Sequence, residues 1–365
     1  MQHSFLCLDG RKYGPEDIGA LLRLAEEGRP ELADLAQFLA DWFSPSESVP
    51  VQTSGSTGAP KRFMAPKARM RASAGLTCDF LGLKEGDSAL LCMPLKYIGA
   101  KMVVVRALER GLDLRCVQPS SHPLRGMAES LAFAAMTPAQ VYTTLEVPEE
   151  AETLKKVRHL IIGGGAVNGP LAESLRVFPN AVWSTYGMTE TLSHIALRRL
   201  NGPEASEWYT PFSGVSVRLA EDGALCILAP AVCEGELMTN DLAELDAAGR
   251  FRILGRKDNV INSGGVKVQI EAVEAALAPH IEGAFFITSV PDAQYGEMVV
   301  MLREGRGGEG CLAACRRVLH PYACPKRVFT VPSLPRTGSG KPDRAGARRL
   351  AGELAKAGGA GALPD

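Results

Sequence analysis

Thr53-Ser54-Gly55-Ser56-Thr57-Gly58-Ala59-Pro60-Lys61 packs hydroxyls, two glycines and an ammonium into one short stretch. Backbone N–H groups that glycine leaves open, together with such side chains, can wrap a polyphosphate. The stretch follows Val49-Pro50-Val51-Gln52, an apolar run that reads as a strand, so it should leave a sheet edge as a loop. It is not a Walker A loop, which ends in Gly-Lys-Ser/Thr, whereas Lys61 lies between Pro60 and Arg62. Its composition is equally that of a linker. The rest of the chain has to decide between the two.

The 365 residues suffice for roughly two or three domains and a substantial core. With 46% hydrophobic residues and a net charge of -1, the composition is globular and lacks the basic excess that nucleic acid or an anionic membrane requires. Met1 to Gly10 has no basic region ahead of an apolar core and no small-residue cleavage site. No apolar run reaches the ~18 residues of a membrane span, so a cytoplasmic chain without membrane insertion is expected. Nine cysteines occur without a Cys-x-x-Cys pair, and Cys311 and Cys315 have no nearby histidine or third thiol to complete a zinc site. Free thiols in a reducing compartment are the expectation.

Two helical patterns, 15–27 and 31–43, precede the opening loop, the second with Leu32, Leu35, Phe38, Leu39 and Trp42 on one stripe. After it, a helix over 65–83 leads to an apolar strand at 88–93. The pattern then predicts a helix over 98–110, a strand over 112–117, a helix over 126–135 and a strand over 140–144. Beyond these come a strand over 157–162, a helix over 169–177 and a strand over 181–185. Such alternation argues for an α/β fold with a mostly parallel sheet and ligands at the strand C-termini. Polar clusters fall there: Gly163-Gly164-Gly165-Ala166 after one strand, Tyr186-Gly187-Met188-Thr189-Glu190 after another. From 193 to 254 short alternating segments separated by Asp-Gly and other glycine turns read as antiparallel β structure. A compact α+β pattern follows a boundary near Asp258.

A second unusual stretch, Pro335-Arg-Thr-Gly-Ser-Gly-Lys341-Pro-Asp343, sets Lys341 on a glycine loop just ahead of a helix. A mobile, unburied ammonium there could be a solvated charge, or could stabilise charge developing on a phosphorus under attack. Taken in order, 53–61, 184–191, Asp241, 255–265 and 335–341 resemble the motifs of the adenylate-forming superfamily of acyl-CoA synthetases, adenylation domains and luciferases. The resemblance spans about residues 49–350.

It implies a large N-terminal adenylation domain over 1–255 with a β subdomain over about 193–254. A hinge over 256–258, a small mobile C-terminal α+β domain over 259–355 and a flexible tail over 356–365 complete it. It implies that the opening loop holds the β- and γ-phosphates of ATP. Gly163, Gly164, Gly165, Ala166, Tyr186 and Gly187 would form the adenine pocket, and Asp241 and Arg256 would hold the ribose. Thr189 would lie near the α-phosphate, Glu190 would bind Mg²⁺, and Asp258 would be the pivot. Ser263, Gly264 and Gly265 would line the coenzyme A channel. Lys341 would be the adenylation lysine. The implied reaction converts a carboxylate and ATP to an acyl-adenylate and pyrophosphate, and coenzyme A then displaces AMP, with no enzyme nucleophile.

Met93 to Arg106 and Gly187 to His194 further resemble the o-succinylbenzoate-CoA ligases of menaquinone biosynthesis. That family commonly has an aromatic-His pair after Pro-Leu, where this chain has Lys96-Tyr97. A diacid needs a cation for the carboxylate that is not activated, and Lys101 and Arg106, with Tyr97 and Ser193, are the acyl-site candidates. Another aryl or short-chain acyl-CoA ligase, a carrier-loading enzyme and a non-catalytic adenylate-binding module are the alternatives. Fifty-two residues precede the phosphate loop, fewer than is usual in the superfamily. The two N-terminal helices are expected to stand in for a missing subdomain, and a homo-oligomer stays open.

Overall fold

The protein is described by a computed structural model covering residues 4–52, 62–165, 167, 169–305, 310–337 and 341–357. The loop 53–61, Ala166 and the tail 358–365 lie outside the described residues. Among those described, the largest element is a nine-stranded sheet. Six neighbours run parallel in the order Ala181–Gly187, His159–Ile162, Phe133–Met136, Ser88–Leu91, Asp113–Cys116, Leu6–Leu8. Antiparallel strands extend both edges, His194–Arg199 and Thr210–Pro211 on one side and Arg11–Tyr13 on the other.

The central strands are apolar on both faces because each face meets its own core. Ala89, Leu91, Phe133, Ala135 and Ile161 join one cluster with Leu21, Leu35, Leu39, Met70 and Val103 from the helices Ile18–Glu26, Glu31–Phe43, Lys67–Leu81 and Ile98–Arg110. The alternate residues Leu90, Ala134, Met136, Leu160 and Ile162 join the other with Val141, Leu154 and Leu171, from Pro138–Leu145, Pro148–Lys155 and Gly169–Leu175. The period of two along a strand divides the side chains between the layers.

Two expected elements are overturned. Residues 126–135 form no helix; Phe133–Met136 is a strand with all four residues buried. Residues 140–144 are not a strand but part of the helix Pro138–Leu145. Thr137 Oγ1 accepts from the Gln140 N–H at 3.2 Å, Gln140 Oε1 accepts from the Thr137 N–H at 3.1 Å, and Pro138 occupies the first turn. This reciprocal cap satisfies two donors that a helix start otherwise leaves open, so the local chemistry selects helix.

The helix expected from residue 65 starts at Lys67, because Arg62–Pro66 pairs with Ser48–Gln52. The sheet edge that precedes the opening stretch therefore belongs to a separate two-stranded ribbon. Ser216–Leu219, Ala224–Leu228, Glu236–Leu245 and Phe251–Arg256 form a four-stranded antiparallel sheet. The small C-terminal unit has a sheet of Val260–Ser263, Val266–Gln269, Phe285–Asp292, Gly296–Glu304 and Arg327–Val331. Ile270–Leu277, Cys311–Val318 and Arg344–Ala357 are its helices. No helix among the described residues is long and apolar enough to cross a membrane.

Leu35, on Glu31–Phe43, is wholly buried in the core of the main sheet. Leu35→Ala should therefore cost about 2–5 kcal/mol and lower the urea midpoint. An unchanged midpoint would show that this helix lies outside the cooperative core.

Candidate active site

Tyr186 ends a central strand, and Asp241 and Arg256 face each other as register partners on adjacent strands of the antiparallel sheet. The Tyr186 hydroxyl donates to Asp241 Oδ2 at 2.6 Å, and Arg256 Nη1 donates to Asp241 Oδ1 at 3.3 Å. One carboxylate thus links the two sheets. Burial, and then the Asp241 charge, push the Tyr186 pKa upward, so the phenol stays a donor. Its ring meets Phe251 edge to face at 5.0 Å and Tyr209 at a tilt of 56° and 5.8 Å, an aromatic cluster beside a carboxylate. An aromatic face and a carboxylate can accommodate a base and a pair of vicinal hydroxyls.

The glycines here are required by close approach. A Cβ on Gly187 would collide with the backbone of Ser193 and His194, and one on Gly163 would lie 2.6 Å from Thr185 Oγ1. Gly164, at φ +79°, turns the chain away after its strand. Thr189 is half-buried on the loop beyond Gly187. Glu190 is exposed and has no hydrogen-bond or ion-pair partner among the described residues, which leaves a hard oxygen donor free.

Arg256 Nη2 also donates to exposed Asp258 at 3.0 Å, and the Arg256 carbonyl accepts from Gln269 Nε2 at 3.0 Å. The segment between the sheets is therefore held from both sides. Ser263, Gly264 and Gly265 span the turn between Val260–Ser263 and Val266–Gln269, the glycines at φ +58° and +83°. Two successive positive φ values suit the tight turn of a hairpin. The Gly264 N–H donates to the Tyr295 carbonyl at 2.8 Å.

Lys341 is half-buried, not the exposed ammonium that its glycine loop suggests. Thr337 holds its backbone through two hydrogen bonds, N–H to the Lys341 carbonyl at 2.8 Å and Oγ1 from the Lys341 N–H at 3.2 Å. Desolvation, then the positive charge of Arg256, pull the Lys341 pKa below its ordinary 10.5. The lysine of the C-terminal unit thus shares an electrostatic environment with the Asp241–Arg256 pair.

Arg106 lies on Ile98–Arg110, a helix whose first flanking residue is half-buried Tyr97. Only 1% of Arg106 is exposed. Its Nη2 donates to Ser193 Oγ at 2.7 Å, its guanidinium lies 5.9 Å from the Phe133 ring centroid, and its Nε has no acceptor. No carboxylate pairs with it among the described residues. Burial pushes its pKa down to about 10, which still leaves a cation at neutral pH.

Lys101, grouped with Arg106 on sequence, turns elsewhere: its Nζ donates to the Pro50 carbonyl at 2.7 Å and lies 5.3 Å from the Phe38 ring centroid. Five residues along a helix rotate a side chain by about 140°, which separates the two cations. His194 opens the strand beside Ser193. It is buried, its Nδ1 lies 3.3 Å from Ser193 Oγ and its Nε2 lies 3.0 Å from Thr77 Oγ1. A lone histidine at the head of an apolar strand carries no sequence signal of this role.

Residues 42–241 match the AMP-binding enzyme family, and residues 272–341 match the AMP-binding enzyme C-terminal domain. A probable 2-succinylbenzoate–CoA ligase of Mycobacterium tuberculosis is 30% identical over 339 residues, covering 83% of this chain and 84% of the relative. The crystal structure of an acyl-CoA synthetase (AMP-forming)/AMP-acid ligase II-like protein from Dyadobacter fermentans is 33% identical. It aligns with a TM-score of 0.61 over 88% of this chain and 94% of that one. O-succinylbenzoate coenzyme A synthetase (MenE) from Bacillus subtilis, in complex with ATP and magnesium, shares the fold at 23% identity and a TM-score of 0.68, over 81% of this chain and 68% of that one. The chain therefore belongs to the AMP-binding enzyme family, within the superfamily of adenylate-forming acyl-CoA synthetases.

Proposed function

We propose that the chain activates o-succinylbenzoate as its acyl-adenylate and transfers the acyl group to coenzyme A, as a cytoplasmic enzyme of menaquinone biosynthesis. The observation that carries this reading is Arg106: a buried cation with one acceptor and no carboxylate partner among the described residues. Sealing an unpaired charge away from water costs several kcal/mol, and a substrate carboxylate offsets that cost. A diacid supplies one carboxylate for Arg106 and Ser193 and a second for activation. The similarity to a probable 2-succinylbenzoate–CoA ligase and the fold shared with an o-succinylbenzoate coenzyme A synthetase support this reading.

In the first half-reaction the substrate carboxylate oxygen attacks the α-phosphorus of ATP, and pyrophosphate leaves. Tyr186 and its neighbouring rings take the adenine, Asp241 and Arg256 take the ribose hydroxyls, and Thr189 lies at the α-phosphate. The Lys341 ammonium stabilises charge that grows on the oxygens in the transition state. Glu190, an unpartnered hard carboxylate, suits Mg²⁺, which would neutralise phosphate charge when bound. Residues 53–61 would hold the β- and γ-phosphates, which leave as pyrophosphate. The small domain then turns about Asp258, which brings the hairpin turn 263–265 to the site. The coenzyme A sulfur attacks the acyl carbon, the acyl–phosphate bond breaks, and AMP leaves.

Arg106→Ala should raise KM for o-succinylbenzoate by about tenfold or more, the worth of a charge-assisted hydrogen bond, and change KM for a benzoate-type monoacid far less. Equal effects on both acids would assign Arg106 to structure.

Adenylate formation needs Lys341 charged, so its rate should fall as pH rises through a pKa below the ordinary 10.5. Pyrophosphate release with Lys341→Arg should lose that alkaline limb, and Lys341→Ala should be slowed at every pH. An Ala variant with unchanged adenylate formation would contradict this role.

A further inference from the structure

Arg106 is held by a buried chain of hydrogen bonds that continues past the substrate-facing groups. Arg106 Nη2 donates to Ser193 Oγ, which lies 3.3 Å from His194 Nδ1; His194 Nε2 lies 3.0 Å from Thr77 Oγ1, which lies 3.3 Å from the Ser73 carbonyl. Three elements contribute: the helix Ile98–Arg110, the start of the strand His194–Arg199, and the helix Lys67–Leu81. Arg106, His194, Thr77 and Ser73 are all buried. Water is therefore a poor substitute for any missing link.

The donors and acceptors fix a direction. Desolvation and the Arg106 charge hold His194 neutral, so one ring nitrogen donates and the other accepts. If the Thr77 hydroxyl donates to the Ser73 carbonyl, His194 Nε2–H donates to Thr77 Oγ1, and the Ser193 hydroxyl donates to His194 Nδ1. Ser193 Oγ then keeps its lone pairs for Arg106. The opposite tautomer leaves Ser193 Oγ accepting from both sides, its own proton without an acceptor. Only the first arrangement gives every hydroxyl and imidazole N–H proton of Ser193, His194 and Thr77 a partner.

We propose that Thr77 and His194 are positioning residues for diacid selection, which fix Ser193 and, through it, the guanidinium plane of Arg106. This rests on the reading of Arg106 as receptor for the carboxylate that is not activated. The side chain of Arg106 has five donors in a rigid fork, so a rotation that spoils its plane weakens a two-point contact to carboxylate while leaving the charge in place. Neither Thr77 nor His194 needs to touch substrate to have this effect. Truncating them should therefore act on the ratio of diacid to monoacid KM more than on kcat.

The test measures that ratio, o-succinylbenzoate over a benzoate-type monoacid, in Thr77→Val, Thr77→Ser and Arg106→Ala enzymes. It is paired with ¹⁵N NMR of His194 in the wild type. Thr77→Val, nearly isosteric, should raise the ratio about fivefold, Thr77→Ser should restore it to within about twofold, and His194 should be the neutral Nε2–H tautomer. A Thr77→Val ratio like the wild type, beside an Arg106→Ala ratio that has risen, would overturn the relay and leave the assignment of Arg106 standing. An unshifted ratio in Arg106→Ala would overturn both. A charged or Nδ1–H imidazole at neutral pH would overturn the relay regardless of substrate.

Discussion

A positive charge sealed between two helices and a sheet, with one hydroxyl to hold it, is the constraint on which the rest of this site depends. Arg106 cannot shed its proton at neutral pH, and its surroundings offer no anion among the described residues. Aromatic contact with Phe133 and the bond to Ser193 recover part of the desolvation cost, and a cation–π contact contributes only about 0.5–2 kcal/mol. On the reading proposed above, a substrate carboxylate would compensate this charge, and a monoacid would leave it uncompensated.

The second organising contact is Asp241, which ties the main sheet to the antiparallel sheet through Tyr186 and Arg256. Arg256 passes the connection on to Asp258 and, through its carbonyl, to Gln269 in the small C-terminal unit. Gly255, at φ +152°, would have its Cβ in the side chain of Gln269, so the connecting backbone packs tightly against that unit. Lys341 feels the charge of Arg256 and has lost part of its hydration. Repulsion between the two cations favours an anion between them, as a phosphoryl group would be, and disfavours the arrangement once that anion has gone.

Long periodic elements are legible in the sequence. Ile98–Arg110 and the stripe of Glu31–Phe43 match their patterns, because a dozen residues average out local preference. Short elements were lost or inverted. Leu6–Leu8 and Arg11–Tyr13 hold three residues each, too few to show a period, and Phe133–Met136 was absorbed into a helical pattern. The helix Pro138–Leu145 had a signal in Thr137, Pro138 and Gln140 that outranks its β-branched content. In the site, ordered motifs drew attention to Tyr186, Asp241, Arg256 and Lys341, and the diacid argument to Arg106 and Ser193. Lys101 and Arg106 point apart because five residues rotate a helix by about 140°. His194 and Thr77 were invisible because a hydrogen-bonded relay across three elements exists only after they pack.

The central claim is that the buried cation selects a substrate with two carboxylates. Pyrophosphate release from ATP, measured for the wild-type protein across a panel of acids and followed by coenzyme A thioester formation, tests it most directly. The account predicts that o-succinylbenzoate outperforms benzoate and other aromatic or short-chain monoacids in kcat/KM, and that its thioester accumulates once coenzyme A is added. An aromatic monoacid that outperforms o-succinylbenzoate would contradict it.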